Sequence, residues 1–400
     1  MTAPSADGIR TYRNPGMAAG SERYADAHAA ILNDAGFSAA FNEIRRWPGY
    51  APTPLHRLPA LAARLGLAEL CYKDEGGRFG LKSFKALGGA YAVFRLLAKA
   101  IMATNGGPRV AAQDLVSGAY KTIASGLTVT CATDGNHGRS VAWGAQLFGC
   151  RCVIFVHEHV SPGRRAAIAH YGAEVIAVPG NYDDSVRHAA AEAKKNGWSV
   201  VSDTTYEGYR EIPVDVMHGY GVMAREITHQ MAGQPPTHVI VQAGVGGLAA
   251  AVCAAFWIAW GDRRPQLVIV EPTRADCFFQ SAQAGVPVAV TGALDTVMAG
   301  LACGEVSPLA WEILRTGANA FAAIDDRFAL EAMRALAKPA AGDPAIVAGE
   351  TGASGLALLL AAHDQAEHRA ALALTAGSRV LLIGSEGDTD PALYRQIVAA

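Results

Sequence analysis

The sequence predicts an α/β fold with two open domains, each built on a parallel sheet. From Leu127 onward, short runs of β-branched residues alternate with longer helical runs, and a second series of this kind begins at Thr237. Such alternation is typical of parallel strands that are connected by right-handed helical crossovers. The length agrees with this prediction, because 400 residues exceed a typical single core and allow about two domains.

The first series contains four predicted strands and three predicted helices. The strand segments are short and apolar, whereas the helical segments are longer and richer in Ala and charged residues. The predicted strands are Thr128–Ala132, Cys152–Val156, Glu174–Val178 and Ser199–Ser202, and the predicted helices are His137–Leu147, Pro162–Tyr171 and Asp183–Lys195.

The second series begins at Thr237–Gln242 and continues through an Ala-rich helix after Leu248. It includes the predicted strands Gln266–Glu271 and Arg379–Ile383. The two series share no obvious repeat. Ligands of open α/β sheets bind at the carboxyl ends of the strands, so we expect the functional residues there.

Two irregular stretches indicate where the smaller domain is inserted. Asn105–Gly126 carries several glycines, and Asp203–Pro213 has few helix signals. Both are typical of hinges. We therefore expect residues 95–209 to form a smaller α/β domain, inserted into a larger domain made of residues 1–94 and 210–400.

Composition restricts the possible partners to small molecules. The formal net charge is −2 and 18% of the residues are charged, which gives no basic surface for nucleic acid or an anionic membrane. The apolar run Leu248–Trp260 is shorter than the roughly 20 residues that span a bilayer. Residues 1–20 carry no apolar signal segment. We expect a cytoplasmic protein that binds a small neutral or zwitterionic ligand.

The seven cysteines lack the spacing of a zinc site, so we predict no metal. Most are expected to be small buried side chains. Cys277 and Cys303 flank loop sequence, and they either form a disulfide or remain free thiols.

Lys85 is the first candidate for chemistry. It follows Ser83, a residue typical of a helix N-cap, and precedes the pair Gly88 and Gly89. A glycine pair early in a helix costs about 1 kcal/mol per residue relative to Ala. We therefore expect some group to approach this helix face closely. Lys82 is the rival lysine, but it precedes the cap and is expected to point to solvent.

The second candidate is the glycine-rich turn Gly244, Val245, Gly246, Gly247, Leu248, which follows an apolar strand and precedes a helix. Such a turn presents bare backbone N–H groups to a phosphate. A dinucleotide site is the alternative, but the turn lies far from the N-terminus, and the nearest strand-ending acidic residue, Glu271, comes later than expected. A lysine together with a phosphate site indicates pyridoxal phosphate, with its aldehyde on Lys85 as a Schiff base.

The third candidate is the turn Thr133–Gly138, between the first strand and first helix of the inserted domain. An ordinary Asn/Gly turn with a capping Asp134 is one interpretation. In the other, Asn136 donates to the phenolic oxygen of pyridoxal phosphate and Asp134 reaches the same site.

Four motifs follow one another along the chain: Thr53–Leu55, Ser83–Lys85, Gly135–His137 and Gly244–Gly247. In this order they resemble the tryptophan-synthase-like (fold type II) pyridoxal phosphate enzymes. Further motifs accompany them: Asp134, Asp203–Tyr209, Met298–Glu305 and Glu386–Asp390. With these, the resemblance within the family is greater to the diaminopropionate ammonia-lyases, and it covers nearly the whole chain from about Tyr24. One departure is Lys82, where an uncharged residue is expected, and 105–121 is similar to an insertion.

The resemblance implies a tryptophan synthase beta-like fold, a homodimer, and elimination of ammonia from D- or L-2,3-diaminopropionate to give pyruvate and two ammonia. It implies that Lys85 holds the cofactor and then acts as a general base. Asp134 is implied to select the second ammonium of the substrate and to take the α proton of the D enantiomer. Asp203 either binds the β-amino group or caps a loop.

Ser385, at the end of the last predicted strand, is the candidate partner of the cofactor's pyridine nitrogen. A neutral hydroxyl leaves that nitrogen largely unprotonated, which favours elimination. Asp388 is the alternative partner. The competing functions are a serine or threonine dehydratase of the same fold, a nicotinamide-dependent oxidoreductase, and a pyridoxal carrier without turnover.

Overall fold

The computed structural model describes residues 7–17, 23–105, 109–133 and 135–400. Asp134 is one of the predicted site residues and lies outside the described residues. The described part contains eleven strands and seventeen α-helices. The strands are β1 Ile9–Arg13, β2 Leu55–Arg57, β3 Glu69–Asp74, β4 Thr128–Ala132, β5 Arg151–His157, β6 Glu174–Val178, β7 Ser199–Val200, β8 His238–Gln242, β9 Gln266–Pro272, β10 Ala320–Ile324 and β11 Arg379–Gly384. The helices are α1 Asp26–Ala29, α2 Asp34–Ile44, α3 Pro59–Arg64, α4 Lys85–Asn105, α5 Ala112–Val116, α6 Lys121–Ala124, α7 Asn136–Phe148, α8 Pro162–Ala169, α9 Tyr182–Asn196, α10 Glu211–Gln230, α11 Gly247–Trp260, α12 Cys277–Ala284, α13 Pro308–Gly317, α14 Asp326–Ala337, α15 Ser354–Ala362, α16 Ala366–Ala371 and α17 Pro391–Ala399.

The chain divides into two compact units. The larger unit comprises Met1–Asp34, Pro52–Gly77 and Met223–Ala400, and the smaller unit comprises Ala35–Ala51 and Arg78–Val222. Each unit contains one sheet, so the predicted α/β class with two sheet-based domains is confirmed.

The limits of the smaller unit differ from the predicted 95–209. Helix α4 is one continuous helix that starts at Lys85, and it packs against α7 within the smaller unit. A β-carbon on Gly144 of α7 would lie only 2.7 Å from Cα of Ala90. Because this packing covers the whole first half of α4, a boundary at Arg95 would cut through a buried helix.

The larger sheet has the strand order β1-β10-β9-β8-β11-β3-β2. The five central strands are parallel, whereas β1 pairs antiparallel with β10 and β2 antiparallel with β3. The smaller sheet, β6-β5-β4-β7, is parallel throughout. The expected parallel sheets are therefore found, and the two antiparallel edge strands are an addition that the sequence analysis did not include.

Local sequence signals account for several helix ends. In α9, Asn181 accepts a hydrogen bond from the Asp184 N–H, and Asp184 accepts one from the Asn181 N–H, which forms a capping box. The same helix ends at Gly197 with φ +69°, a conformation that glycine adopts at little cost. The irregular stretch 105–126 contains two short helices, α5 and α6, in its described part.

One helix of the described part is long and apolar enough to cross a membrane. It covers Lys85–Thr104, and 67% of its apolar 18-residue stretch is buried inside the protein. Such burial is typical of the core helix of a folded domain, as is the buried Ala-rich α11.

Candidate active site

Lys85 is the first residue of α4 in the smaller unit. Ser83 Oγ accepts a hydrogen bond from the Lys85 backbone N–H at 3.3 Å, so the predicted cap is present. The side chain is 22% exposed, and its Nζ forms an ion pair with Oδ2 of Asp203. The same Nζ lies 5.4 Å from the centroid of the Phe84 ring and 5.8 Å from that of Tyr220. The amine is therefore partly desolvated, with a carboxylate as its ionic partner.

Asp203 keeps its negative charge beside this amine. Burial opposes ionisation of the carboxyl group, but the charge of Lys85, which also donates a hydrogen bond to it, holds the pKa of Asp203 well below its usual range. Its predicted role toward a substrate amine is not tested by this geometry. What the structure adds is that the carboxylate already binds one ammonium group.

His137 stands on the other side of Asp203. Its Nδ1 lies 3.7 Å from Oδ2 of Asp203, and its Nε2 lies 2.7 Å from the carbonyl oxygen of Val201. Because a carbonyl oxygen only accepts, Nε2 carries the hydrogen of this hydrogen bond. Burial lowers the pKa of His137, and the Lys85 charge acts in the same direction while Asp203 opposes it. The imidazole is thus neutral at pH 7, with the lone pair of Nδ1 toward Asp203.

Asn136 begins α7 directly before His137 and is half-buried. Its predicted contact with the phenolic oxygen of the cofactor stays a prediction. The neighbouring Asp134 lies outside the described residues, so its predicted roles also stay predictions.

The glycine pair of α4 is explained by neighbouring helices. A β-carbon on Gly88 would lie 2.4 Å from Cε1 of Tyr220 in α10, and one on Gly89 would lie 1.8 Å from Oγ of Ser140 in α7. The close approach that the sequence predicts is therefore made by two packed helices. It places the Tyr220 ring beside the start of α4, where Phe84 packs on it with ring centroids 4.6 Å apart.

The glycine turn of the larger unit joins β8 to α11. Gly246, the N-cap residue of α11, has φ +95°, and no side chain caps this helix. A β-carbon on Gly246 would lie 2.3 Å from Cζ of Phe278, and one on Gly244 would lie 2.9 Å from the carbonyl oxygen of Gly300. Val245 accepts a backbone hydrogen bond from Ser307, and Leu248 is buried. Protein atoms thus pack directly behind the turn, and the first-turn N–H groups of a 14-residue helix are left without a side-chain cap.

Ser385 follows β11 in the larger unit and is 1% exposed. Its Oγ accepts a hydrogen bond of 2.6 Å from Nε2 of Gln242, the last residue of β8. Asp388 raises the pKa of Tyr394 through its charge, in addition to the larger effect of burial. Its carboxylate therefore has Tyr394 of α17 as a neighbour.

Two thiols flank the same turn. Cys277 Sγ lies 3.6 Å from Oε1 of Glu271 and 3.9 Å from the carbonyl oxygen of Gly244. Cys277 and Cys303 are not joined by a disulfide, so of the two alternatives the structure has the thiol form. Burial, followed by the charge of Glu271, raises the pKa of Cys277 far above its usual range, so this thiol is not a nucleophile at neutral pH.

Each unit contains groups that fit a part of pyridoxal phosphate. Uncapped amides at the start of α11 suit a phosphate dianion, a partly desolvated lysine suits an aldehyde, and a buried hydroxyl suits a pyridine nitrogen. Sequence reasoning did not select His137, Tyr220 or Gln242 as site residues. Gln242 had a usable signal, since it is the single amide in an apolar strand and directly precedes the turn.

Comparison with known proteins gives one consistent family. The family model described as pyridoxal-phosphate dependent enzyme matches residues 46–386. The diaminopropionate ammonia-lyase of Escherichia coli K12 is 43% identical over 359 residues, covering 88% of each chain. The crystal structure of the holo form of the Escherichia coli diaminopropionate ammonia-lyase has a TM-score of 0.88 at 39% identity, covering 98% of this chain and 96% of that one.

Two further matches concern what the relatives bind. A crystal structure of the Escherichia coli diaminopropionate ammonia-lyase in complex with an aminoacrylate-PLP azomethine reaction intermediate has a TM-score of 0.85 at 38% identity, covering 98% of this chain and 96% of that one. A probable D-serine dehydratase of Burkholderia pseudomallei is 30% identical over 333 residues, covering 78% of this chain and 73% of that protein.

Proposed function

The chain belongs to the pyridoxal-phosphate-dependent enzymes, in the family of the diaminopropionate ammonia-lyases, and we propose that it converts 2,3-diaminopropionate to pyruvate and two ammonia. The observation that carries the proposal is the ion pair between Lys85 and Asp203 at the start of α4. It places an amine and a carboxylate of opposite charge where an amine substrate could exchange with the lysine. The cofactor, when bound, supplies an electron-withdrawing ring that weakens the bond to the α proton of the substrate.

Lys85 holds the cofactor and moves a proton. Nζ must be deprotonated to bond to an aldehyde or to accept the α proton. Asp203 stabilises the protonated amine in the structure, so it favours the form of Lys85 that is ready to give a proton to a leaving group. His137 Nδ1, 3.7 Å from Asp203, supplies a neutral neighbour that does not compete for this charge.

Asp203 also selects the substrate. One carboxylate and one unit positive charge at about 4 Å gain on the order of 4 kcal/mol at an effective dielectric constant near 20, before desolvation is subtracted. When Lys85 is engaged with the cofactor, the β-ammonium of diaminopropionate takes its place beside Asp203. Serine and threonine carry no such charge. Asp134 acts on the same ammonium and accepts the α proton of the D enantiomer.

Residues of the larger unit are also assigned to the cofactor. The turn at Gly244, Gly246 and Gly247 receives the phosphate, and Ser385 receives the pyridine nitrogen. Asn136 donates to the phenolic oxygen. The uncapped start of α11 and the buried Ser385 hydroxyl support these assignments.

The first experiment tests the cofactor and its lysine. The protein is loaded with pyridoxal phosphate, reduced with borohydride and mapped by peptide mass spectrometry. We expect the label on Lys85 and visible absorbance that disappears in Lys85→Ala. Lys82→Ala, three residues earlier in the chain, is the matched control and keeps both signals. A label on another lysine contradicts the proposal, and a protein that takes up no pyridoxal phosphate does too.

The second experiment tests the substrate. D- and L-diaminopropionate are compared with D- and L-serine by the release of pyruvate and ammonia. We expect diaminopropionate to be preferred, and Asp203→Asn to reduce kcat/KM for diaminopropionate by at least tenfold more than for serine. A preference for serine in the wild type supports the alternative, a dehydratase of the same fold, which the match to a probable D-serine dehydratase suggests.

A third experiment concerns the two enantiomers. Asp134→Asn is expected to lose turnover of D-diaminopropionate while it keeps most turnover of the L form, since Lys85 serves the opposite face. An unchanged D rate in the variant removes the two-base mechanism.

The proposed assembly is a homodimer in the cytoplasm. The support for the dimer is the family resemblance, and the support for the compartment is the charge balance and apolar composition of the chain. Sedimentation of the loaded enzyme at micromolar concentration tests the dimer, and a monomer at that concentration contradicts it.

A further inference from the structure

Gln242 is a buried amide that the proposed function does not use. It is 2% exposed and is the last residue of β8. Its Nε2 lies 2.6 Å from Ser385 Oγ, 3.0 Å from the carbonyl oxygen of Ile383 and 3.1 Å from that of Thr351. Its Oε1 has no hydrogen-bond partner among the described residues. One side-chain amide thus joins the carboxyl ends of the neighbouring strands β8 and β11.

The orientation of this amide is determined by the two backbone carbonyl groups. Both the Ile383 and the Thr351 oxygens only accept hydrogen bonds, so the atom that faces them must carry hydrogens. Turning the amide over would place Oε1 against both oxygens and would lose their hydrogen bonds, which is costly for buried groups. Nε2 therefore faces Ser385 as well.

This orientation of the amide restricts where the hydroxyl hydrogen of Ser385 can point. Gln242 Nε2 shares two hydrogens among three neighbouring oxygens and has no free lone pair to accept with, so the Ser385 hydroxyl hydrogen cannot point at it. Within the described residues, no acceptor for that hydrogen is found. A hydroxyl that accepts one hydrogen bond also becomes a better donor for the next. Ser385 is thereby prepared to donate to a group that binds beside it.

We propose that Gln242 is a positioning residue that makes Ser385 a hydrogen-bond donor, and so keeps the pyridine nitrogen of the cofactor unprotonated. This inference rests on the proposed function, in which Ser385 faces that nitrogen. A nitrogen that accepts the Ser385 hydrogen has its lone pair occupied and does not take up a proton. Such a ring withdraws electrons less strongly than a pyridinium, which favours elimination over reactions that need a longer-lived carbanion.

The experiment measures the nitrogen itself. Protein loaded with pyridoxal phosphate that carries ¹⁵N in the ring is studied by ¹⁵N NMR, because the shift of the nitrogen separates its protonated from its unprotonated form. In the wild type we expect the unprotonated value. In Gln242→Met, the Ser385 hydrogen is free to turn elsewhere, so the shift moves toward the protonated value and turnover falls about tenfold, as for one lost hydrogen bond.

Ser354→Ala is the matched control. Ser354 Oγ donates to the carbonyl oxygen of Thr351 at 2.8 Å, so its loss removes a buried hydrogen bond at the same carbonyl without touching Ser385. A merely structural role of Gln242 predicts that both variants lose similar thermal stability and that neither moves the ¹⁵N shift. We expect the shift to move in Gln242→Met alone. In a Ser385→Ala background, Gln242→Met is expected to cause no further change.

A second variant, Gln242→Glu, tests the same inference if Gln242→Met does not fold. Gln242→Glu keeps the volume, and either protonation state of the acid presents an oxygen that can accept the Ser385 hydrogen, so the ¹⁵N shift is expected to move in the same direction. A wild-type shift in both variants, with the cofactor attached to Lys85, overturns the inference and leaves the proposed function intact. A protein that binds no cofactor overturns the proposed function itself.

Discussion

Replacing Gly89 by alanine tests whether the packing of α4 against α7 places the helix that carries Lys85. The new β-carbon would lie 1.8 Å from Oγ of Ser140, which donates to the carbonyl oxygen of His137 at 2.9 Å. Moving this hydroxyl breaks a buried hydrogen bond, worth about 1 kcal/mol, and overpacking costs about 1–3 kcal/mol more. Alanine regains about 1 kcal/mol of helix propensity. The net expected loss is about 2 kcal/mol in the free energy of unfolding.

The same substitution behaves differently when Ser140 is alanine. Without Oγ, the nearest atom to the new β-carbon is the β-carbon of residue 140 at 3.1 Å, followed by Cγ2 of Val141 at 3.4 Å. Small shifts relieve contacts of this length, so Gly89→Ala is then expected to be neutral, with a coupling energy near 2 kcal/mol. Urea unfolding of the four proteins, followed by circular dichroism, measures it. An equal cost of Gly89→Ala in both backgrounds refutes the reasoning.

Three further predictions concern a histidine, an ion pair and the glycine turn. Burial lowers the pKa of His218 to about 4, below the usual 6.5. As the pH falls, this histidine is therefore protonated in the unfolded chain before it is protonated in the folded protein. About 3 kcal/mol of the free energy of unfolding is expected to be lost between pH 6.5 and 4. In His218→Gln, the loss of stability over this pH range should be smaller by about that amount, and an unchanged loss contradicts the assignment. Lys73 and Glu226 form a buried ion pair with an N–O distance of 2.8 Å. Lys73→Met is therefore expected to lower the free energy of unfolding by about 3–5 kcal/mol, because it leaves a buried charge without its partner. The loss is expected to be smaller in the double variant with Glu226→Gln, which denaturant unfolding measures. Gly246→Ala, whose β-carbon would meet Phe278 at 2.3 Å, is expected to weaken cofactor binding at least tenfold in an absorbance titration, and unchanged binding contradicts the role of the turn.

The buried central strands were predictable. β4 has the predicted bounds and the fully buried β8 differs from the prediction by one residue. β6 also has the predicted bounds, although it is a partly exposed edge strand of the smaller sheet. Central parallel strands are continuous apolar runs, so their pattern does not depend on distant neighbours. The edge strands β1 and β2 contain charged and polar residues, and their pairing is determined by strands far away in the chain. A single sequence holds no local signal for such a pairing.

The candidate site stands out in the sequence where its proposed chemistry requires a motif. Lys85 and the glycine turn stand out because a capped lysine before two glycines, and glycines between strand and helix, are unusual locally. The reason for the glycine pair could not be predicted from the sequence. Side-chain atoms of Tyr220 and Ser140 leave no room for a β-carbon at Gly88 and Gly89. Both partners come from helices distant in sequence, and only tertiary structure brings them together.

In each unit, the candidate site residues lie at the carboxyl ends of parallel strands. In the smaller unit, His137 follows β4 and Asp203 follows β7, two strands that are direct neighbours in the sheet. In the larger unit, Gln242 ends β8 and Ser385 follows β11, which are again neighbours. Neighbouring parallel strands end at the same edge, so polar side chains distant in sequence meet there without extra structure. The backbone carbonyl groups that end these strands take part as well, since those of Val201 and Ile383 orient His137 and Gln242. The sheet edge therefore determines which ring nitrogen of His137 carries hydrogen and which way the Gln242 amide faces, and through them the hydrogen bonds that Asp203 and Ser385 have left for a ligand.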